Sequence, residues 1–216
     1  MSIEYHPNEE LLLAYAAGTL DPGEHIALAA HLLPCNQCRR FVDAMEGAGG
    51  SLLGELPPAI MSVEALRQIE ARLDDPVPTQ APPPPSSEHL REWDNLPAFI
   101  RRLPAKPWRW VAPGLHIQRL NTPAASPTRV FLLKAKPGMK LLPHGHEDAE
   151  LTCVLSGSFS HSGRRYGPGD FDCGDSGIEH DIAIGAEGEC ISLVAMRGRL
   201  QMRGFPGRLI QPLITI

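Results

Sequence analysis

Residues 138–157 read GMKLLPHGHEDAELTCVLSG, and this stretch decides how the C-terminal part of the chain folds. His144 and His146 stand one residue apart, and Glu150 follows four residues later. Residues two apart on a strand point the same way, so both imidazoles can reach one ion while Glu150 approaches from the neighbouring segment. The stretch therefore favours a metal site in a strand-rich domain over a pair of surface histidines in a glycine-rich loop.

Short strand patterns continue on both sides of this stretch. Turn signals such as Pro113-Gly114, Pro137-Gly138 and Gly167-Pro168-Gly169 separate them. Many short strands at regular spacing are typical of an antiparallel sandwich or barrel. The strands are expected at 108–111, 116–120, 130–135, 151–155, 158–161, 182–184 and 190–196.

A proline-rich segment separates these strands from a different N-terminal pattern. Residues 74–87 read DDPVPTQAPPPPSS, and its six prolines can neither continue a helix nor join a central strand. Such a segment is typical of a semi-rigid extended linker. The predicted organisation is therefore a helical domain at 1–75, a linker at 76–92 and a strand-rich domain at 93–216.

The net charge of −5 is distributed unevenly between the two parts. Residues 1–89 contain four basic and thirteen acidic residues (4 − 13 = −9), whereas residues 90–216 contain sixteen basic and twelve acidic residues (16 − 12 = +4). An acidic domain repels nucleic acid and attracts basic partners. Direct DNA binding by the N-terminal part is therefore not expected.

The N-terminal part reads as four short helices. The first is expected over 7–17, before Gly18, and the second from an Asp21 cap to about Leu33. The third is expected from about Asn36 to Met45, where three glycines follow. The fourth is expected after a Ser62 cap, with an apolar stripe at helical spacing. A core this small usually needs a metal or a partner to hold it.

The segment His31-Leu-Leu-Pro-Cys35-Asn-Gln-Cys38 predicts such a metal site. Two thiolates two residues apart can reach one ion, and a histidine one helical turn earlier lies on the same side. Tetrahedral zinc needs a fourth ligand, for which His6 and His25 are the candidates. His6 is preferred, because an offset of six residues places His25 on a different face of the helix from His31.

The N-terminal part resembles a known family on these residues. A histidine ahead of the first helix, followed by HxxxCxxC in a small acidic helical domain, is similar to the zinc-binding anti-sigma (ZAS) domain over about residues 1–85. The resemblance implies that His6, His31, Cys35 and Cys38 hold a structural zinc ion. It also implies that the domain wraps a group IV (extracytoplasmic-function) sigma factor, as a 1:1 heterodimer, and covers the sigma surfaces that bind RNA polymerase.

The C-terminal part resembles the cupin family. Residues 138–157 match the pattern G(X)5HXH(X)3E(X)6G, and the segment from Tyr166 to Asp170 ahead of His180 is similar to the second cupin motif. The resemblance implies a jelly-roll barrel in which His144, His146, Glu150 and His180 hold a metal. Three imidazoles and a carboxylate suit zinc, manganese, iron or nickel.

A ZAS domain followed by one cupin resembles the ChrR-type anti-sigma factors, which respond to singlet oxygen and related oxidants. The predicted fold class is therefore α+β multidomain, with a four-helix zinc-binding anti-sigma domain and an all-β cupin barrel. The resemblance implies zinc in both sites, no enzymatic activity, and release of the sigma factor on an oxidative signal sensed by the cupin. The alternative is a metal-dependent cupin dioxygenase or isomerase with an accessory zinc domain.

The expected compartment is the cytoplasm. No apolar run approaches the roughly 20 residues of a membrane span, and the acidic start MSIEYHPNEE lacks the apolar segment of a secretory signal. Five cysteines are then expected as metal ligands or thiols rather than as disulfides. Cys153 is expected in the core, whereas Cys173 and Cys190 remain candidates for redox sensing.

Overall fold

In a computed structural model, helices at the N-terminus lie against an antiparallel sheet domain. The structure describes residues 3–76, 96–122, 126–141, 144–174, 182–198 and 200–202, so the predicted linker beyond residue 76 lies outside the described residues. The helices are α1 (Glu9–Ala16), α2 (Pro22–Leu32), α3 (Asn36–Glu55), α4 (Ala65–Glu70) and α5 (Ala98–Arg102). The strands are β1 (Arg109–Ala112), β2 (Leu115–Leu120), β3 (Arg129–Ala135), β4 (His144–His146), β5 (Glu150–Ser156), β6 (Phe159–His161), β7 (Arg164–Tyr166), β8 (Phe171–Gly174), β9 (Ala183–Ile184), β10 (Cys190–Met196) and β11 (Leu200–Met202).

Six strands form one antiparallel sheet in the order β1-β2-β3-β10-β5-β8. Smaller sheets pair β7-β6-β9 and β11-β4. The strand-rich fold is confirmed, and β10 has its predicted bounds. β7, β8 and β11 are not predicted, because strands of three or four residues are too short to show an alternating pattern. β4 lies outside the expected strand ranges, but it agrees with the placement of His144 and His146 on a strand.

The central strands of the large sheet are buried on both faces. On β10, Leu193 packs towards the helices, whereas Val194 and Met196 pack on the opposite side of the sheet. The side chains of β5 alternate in the same way, with Cys153 towards the helices and Val154 away from them. Strands that are covered on both faces read as continuous apolar runs, as β10 (CISLVAM) does.

α2 covers the outer face of this sheet. It contacts β3, β5 and β10, and Ala27 and Leu28 are fully buried there. Leu132 of β3 and Leu193 of β10 belong to the same hydrophobic cluster. The helices and the sheet therefore share one core, and the N-terminal part does not depend on a helical core alone.

The first two helices begin and end close to their predicted positions. The Asn8 side chain caps α1 by accepting the amide of Leu11 at 2.8 Å. Gly18 follows in the left-handed conformation with φ 67°. Asp21 and Glu24 form a capping box at the start of α2. None of the described helices is long and apolar enough to cross a membrane.

The third helix is longer than predicted. Gly47, Gly49 and Gly50 were expected to end it near Met45, but α3 continues to Glu55. That prediction is wrong, since a glycine in a helix costs about 1 kcal/mol relative to alanine and so weakens the helix without breaking its hydrogen bonds. Every residue from 46 to 64 is exposed, so no tertiary packing supports this weak half.

The fourth helix also differs from its prediction. α4 begins at Ala65, after a Glu64 cap that makes no side-chain hydrogen bond, and not after a Ser62 side-chain cap. Among the described residues, none of the core comes from α4. The predicted apolar stripe is exposed instead, because the core is formed by other helices and the sheet and α4 does not pack on it. The stripe consists of Val63, Leu66, Ile69 and Leu73.

Asp21 joins the start of α2 to the sheet domain. Its carboxylate accepts the amide of Gly23 at 2.8 Å and the hydroxyls of Thr128 and Ser126 at 2.6 Å and 2.9 Å. Gly23 lies so close to Thr128 that a Cβ there would come within 2.8 Å of it. Partial burial raises the pKa of Asp21, but the hydrogen bonds from Thr128, Gly23 and Ser126 outweigh burial and lower the pKa overall.

Replacing Asp21 with alanine should lower the free energy of unfolding at pH 7 by about 2 kcal/mol, since it removes a helix cap and hydrogen bonds to a charged group. The folded-state pKa lies below the unfolded one, so this stabilisation is complete at neutral pH and is lost as the pH falls below about 4. Thermal unfolding between pH 7 and pH 3 checks both points. Asp43→Ala, at an exposed carboxylate of α3, is the control. A difference between Asp21→Ala and wild type that stays constant over this range would contradict the assignment.

Candidate metal centres

Four predicted ligands meet at the N-terminal end of the molecule. The ligand atoms of His6, His31, Cys35 and Cys38 all lie within 4.8 Å of one another. His6 precedes α1, His31 lies in the last turn of α2, and Cys35 caps the start of α3 by accepting the amide of Cys38 at 3.4 Å. The cluster therefore joins the segment before α1, the end of α2 and the start of α3.

The distances within this cluster fit a tetrahedral zinc ion. His31 Nε2 lies 3.3 Å from Cys38 Sγ, and His6 Nδ1 lies 3.4 Å from both Cys35 Sγ and Cys38 Sγ. Nitrogen and sulfur ligands at ordinary zinc bond lengths stand roughly 3.3–3.8 Å apart in a tetrahedron. Two thiolates and two neutral imidazoles also balance the charge of the ion.

Burial sets the protonation of the ligand side chains. Burial, with the neighbouring Cys35 thiol, raises the pKa of Cys38 to about 12. Burial also lowers the pKa of His31, which keeps its imidazole neutral. His31 Nδ1 lies 2.7 Å from the carbonyl oxygen of Gly169. A carbonyl can only accept, so Nδ1 carries the proton and the Nε2 lone pair faces the thiols, as metal-ligating histidines require.

His25, the alternative fourth ligand, lies outside the cluster. Its ring stacks on Tyr15 with the ring centroids 4.3 Å apart. The helical offset of six residues from His31 accounts for this position. His6 therefore takes the fourth place by geometry as well as by resemblance.

The second predicted site lies on the sheet domain. Glu150 begins β5, and its side chain lines a cavity of about 30 Å³ together with Asp172, Ser192 and apolar residues of both larger sheets. Its Oε1 accepts the hydroxyl of Thr152 at 3.2 Å. Burial, reinforced by the nearby Asp172 carboxylate, raises the pKa of Glu150 to about 7 in spite of the Thr152 hydrogen bond. A cation beside Glu150 would offset this cost of burying a carboxylate.

For the histidines predicted for this site, the structure gives the strand positions of two of the three. His144 and His146 lie at the two ends of β4, where they pair with Met202 and Leu200 of β11. His180 lies outside the described residues. The structure thus places Glu150 at the barrel interior and β4 beside β11, and the full set of ligands stays a prediction.

A polar pair beside Glu150, His161 with Asp172, is not predicted from the sequence. His161 Nδ1 lies 3.1 Å from Asp172 Oδ2, and both side chains are largely buried. His161 lies on β6 and Asp172 on β8. Only the folded sheet brings these strands together, and the one available signal is a polar residue at an inward position of a short strand.

The remaining cysteines have different environments. Cys153 is fully buried, and burial raises its pKa to about 12. Burial likewise raises the pKa of Cys190 to about 11, which keeps that thiol protonated at neutral pH. Cys173 is exposed on β8. Of the two sensing candidates, Cys173 is accessible and Cys190 is not.

Comparison with known proteins agrees with this architecture. Residues 98–199 match the family described as the ChrR Cupin-like domain. Aligned over 218 positions that cover the whole of both proteins, the chain is 34% identical to anti-sigma-E factor ChrR of Cereibacter sphaeroides. It also matches a chain in the crystal structure of Rhodobacter sphaeroides SigE in complex with the anti-sigma ChrR. That match has a TM-score of 0.72 and 31% identity, and covers 90% of this chain and 99% of the other.

Full-length identity at this level, together with the helical His/Cys cluster and the cupin sheet, identifies a regulatory protein and not an enzyme: the chain belongs to the ChrR family of anti-sigma factors.

Proposed function

We propose that this chain sequesters a group IV sigma factor in a 1:1 complex, in the cytoplasm, and releases it when the cupin domain receives an oxidative signal. The observation that carries the proposal is an exposed apolar surface at the end of the helical part. It is defined here as the α3–α4 surface, residues 52–73. Its nine exposed apolar side chains are Leu52, Leu53, Leu56, Ile60, Met61, Val63, Leu66, Ile69 and Leu73.

The α3–α4 surface is unusual within this molecule. Nine of the twelve large apolar side chains that are exposed in the described residues lie on it. Exposed apolar side chains concentrated in one stretch of the chain are candidates for a protein–protein contact. The α3 half that carries part of the cluster is also weakened by its glycines, so a partner that covers the leucines would stabilise the helix at the same time.

Charge supports a basic partner for this surface. Residues 1–89 carry a net charge of −9 (4 − 13). Sigma factors must approach the DNA phosphates and therefore present basic surfaces, which an acidic domain attracts and covers. The relative from Rhodobacter sphaeroides was crystallised with SigE, which is consistent with the same class of partner here.

The direct test is binding to purified group IV sigma factors from the same genome. The expected result is a 1:1 complex with one of them by size-exclusion chromatography with light scattering, and inhibition of transcription initiated by that sigma factor. Failure to bind any of them would refute the proposed capture.

In this proposal one metal site has a structural role and the other receives the signal. The His6, His31, Cys35 and Cys38 site would hold zinc and fix the start of α3, the helix that leads to the α3–α4 surface. The cupin site, formed by Glu150 with His144, His146 and His180, would hold a second metal, zinc by family resemblance, and would receive the signal. Support for the second site comes from the position of Glu150, whose side chain lines a cavity inside the sheet domain together with Asp172 and Ser192.

Glu150→Gln should abolish release of the sigma factor by singlet oxygen. The amide keeps the shape of the side chain but removes the negative charge, and weakens metal binding about 10-fold or more. The measurement is the fraction of sigma factor that remains in the complex after exposure to a photosensitiser and light, together with metal content.

Asp148→Asn is the matched control for Glu150→Gln. It makes the same chemical change at an exposed carboxylate that pairs with Arg197, and it should release the sigma factor like the wild type. Release from Glu150→Gln at the wild-type rate would show that the cupin metal is not the sensor.

A further inference from the structure

A short turn of the cupin domain lies directly against the N-terminal His/Cys cluster. It consists of residues 167–170, which connect β7 to β8, and Phe171, the first residue of β8; together they are named here the cluster-facing turn. Its own backbone is tied to β5, because Gly169 donates its amide to the carbonyl of Val154 at 2.8 Å and Val154 donates to the carbonyl of Asp170 at 3.1 Å. β5 is the strand that begins with Glu150.

The turn holds the first histidine of the cluster through its side chain. His31 Nδ1 donates to the carbonyl of Gly169 at 2.7 Å, and the His31 ring meets the Phe171 ring edge-on with centroids 5.6 Å apart. His31 is fully buried. The hydrogen bond therefore fixes both the tautomer and the rotation of the imidazole that faces Cys38.

The turn holds the second histidine through the preceding backbone. The Asp170 carboxylate accepts the amides of Glu4 and Tyr5 at 2.7 Å and 3.0 Å, and Phe171 donates its amide to the carbonyl of Tyr5 at 3.0 Å. The Tyr5 ring also lies against Tyr166, with centroids 4.4 Å apart. These contacts fix the residue immediately before His6.

The fit between the turn and the cluster leaves no spare room. Gly169 has φ 92°, and a Cβ on it would lie 2.7 Å from Ile3 Cδ1 and 3.3 Å from Pro34 Cγ. Ile3 belongs to the segment that carries His6, and Pro34 directly precedes Cys35. A side chain at position 169 would therefore push on both segments that supply ligands.

From these contacts we infer that the cluster-facing turn is a positioning element for the N-terminal metal site, so that the cupin domain sets the metal affinity of the anti-sigma domain. The inference rests on the metal site of the proposed function and adds how the two domains are coupled. The route runs from Glu150 along β5 to Val154, into the turn, and from the turn to both histidine ligands. Coupling between two sites is reciprocal, so metal binding at the cluster must also stabilise the turn.

The first test uses cobalt in the full-length chain. Cobalt bound by thiolates gives a charge-transfer absorption that a site made of imidazoles and a carboxylate does not give, so the band reports the His/Cys cluster alone. Gly169→Ala should weaken cobalt binding at this band about 10-fold or more, the usual effect of disturbing the groups that orient metal ligands. The affinity is measured by competition with a chelator.

Gly163→Ala is the matched control. Gly163 also has a left-handed φ, 74°, but a Cβ there meets nothing within 4 Å. It therefore adds the same backbone strain to the same domain without touching the cluster. Cobalt affinity in Gly169→Ala equal to that of Gly163→Ala would overturn the inference.

The second test uses reciprocity and leaves the cupin sequence unaltered. In zinc-loaded Cys35→Ser/Cys38→Ser, the amide of Phe171, which donates to Tyr5, should exchange with solvent faster than in the zinc-loaded wild type. Unchanged exchange at Phe171 would overturn the inference even if Gly169→Ala fails to fold. Neither readout involves a sigma factor, so an absence of sigma binding leaves both results interpretable. A cobalt–thiolate band that persists in the double variant would instead refute the metal site itself.

Discussion

Leu66→Glu/Ile69→Glu should lose sigma binding while the protein keeps its fold and its metals. Leu66 and Ile69 are 66% and 56% exposed on α4, so charged side chains there disturb no core of the molecule. In a complex they would be covered, and burying two carboxylates against apolar side chains is unfavourable. If each costs at least 2 kcal/mol of binding free energy, as anchor residues at interfaces do, the affinity falls by about 1000-fold.

Isothermal titration with the cognate sigma factor measures this loss, and circular dichroism and metal content show that the fold is kept. Trp110→Glu is the matched control, because Trp110 is 64% exposed and lies on β1 of the sheet domain and not within residues 52–73. It should bind like the wild type. Wild-type affinity in Leu66→Glu/Ile69→Glu would place the docking site elsewhere on the chain.

Local spacing predicted the part of the site that lies on neighbouring helical turns. His31, Cys35 and Cys38 are within seven residues of one another, so the short junction between the last turn of α2 and the first turn of α3 brings them together. His6 lies some 30 positions before the cysteines, so local spacing does not connect it to them. It was preferred because His25 lies on a different helix face and because of the family resemblance. The domain boundaries at 75 and 93 stay predictions, since the residues between 77 and 95 are not described.

The core that the helices share with the sheet is not predictable from local patterns. The helical spacing around Leu28 is equally compatible with a separate helical core, and the apolar strand around Leu193 is equally compatible with a separate sheet core. One signal was available: strands such as β10 are apolar at consecutive positions, which indicates burial on both faces and hence a second layer over the sheet. The exposure of Leu66 could not be predicted for the same reason, because a stripe at helical spacing does not reveal what it packs against.

Cys35→Ser/Cys38→Ser should remove one metal per chain and reduce sigma affinity by about 100-fold or more, equivalent to at least 2.7 kcal/mol. The cluster is the junction of the segment before α1, the end of α2 and the start of α3. Structural zinc contributes about 10–16 kcal/mol of folding free energy in isolated zinc-finger peptides. Without it, the start of α3 loses its anchor and the α3–α4 surface loses its position.

Apart from the faster exchange expected at Phe171 of the cluster-facing turn, the loss should be confined to α1 and α3, because α2 is held independently. Ala27 and Leu28 remain buried against the sheet, and Asp21 still bonds Thr128. The double variant is therefore expected to keep the strand signal in circular dichroism and the cupin metal, while amides of α1 and α3 exchange faster. A variant that unfolds completely would show instead that the sheet cannot hold α2 without the metal.

Cys173→Ser provides the control for Cys35→Ser/Cys38→Ser, since it makes the same substitution at an exposed cysteine of β8. It should retain both metals and full sigma binding. Removing zinc from the wild type with a chelator tests the same dependence without any substitution: the sigma factor should dissociate, and added zinc should restore the complex. Sigma binding that survives both treatments would mean that the α3–α4 surface needs only the helix itself, and that the metal serves stability and not capture.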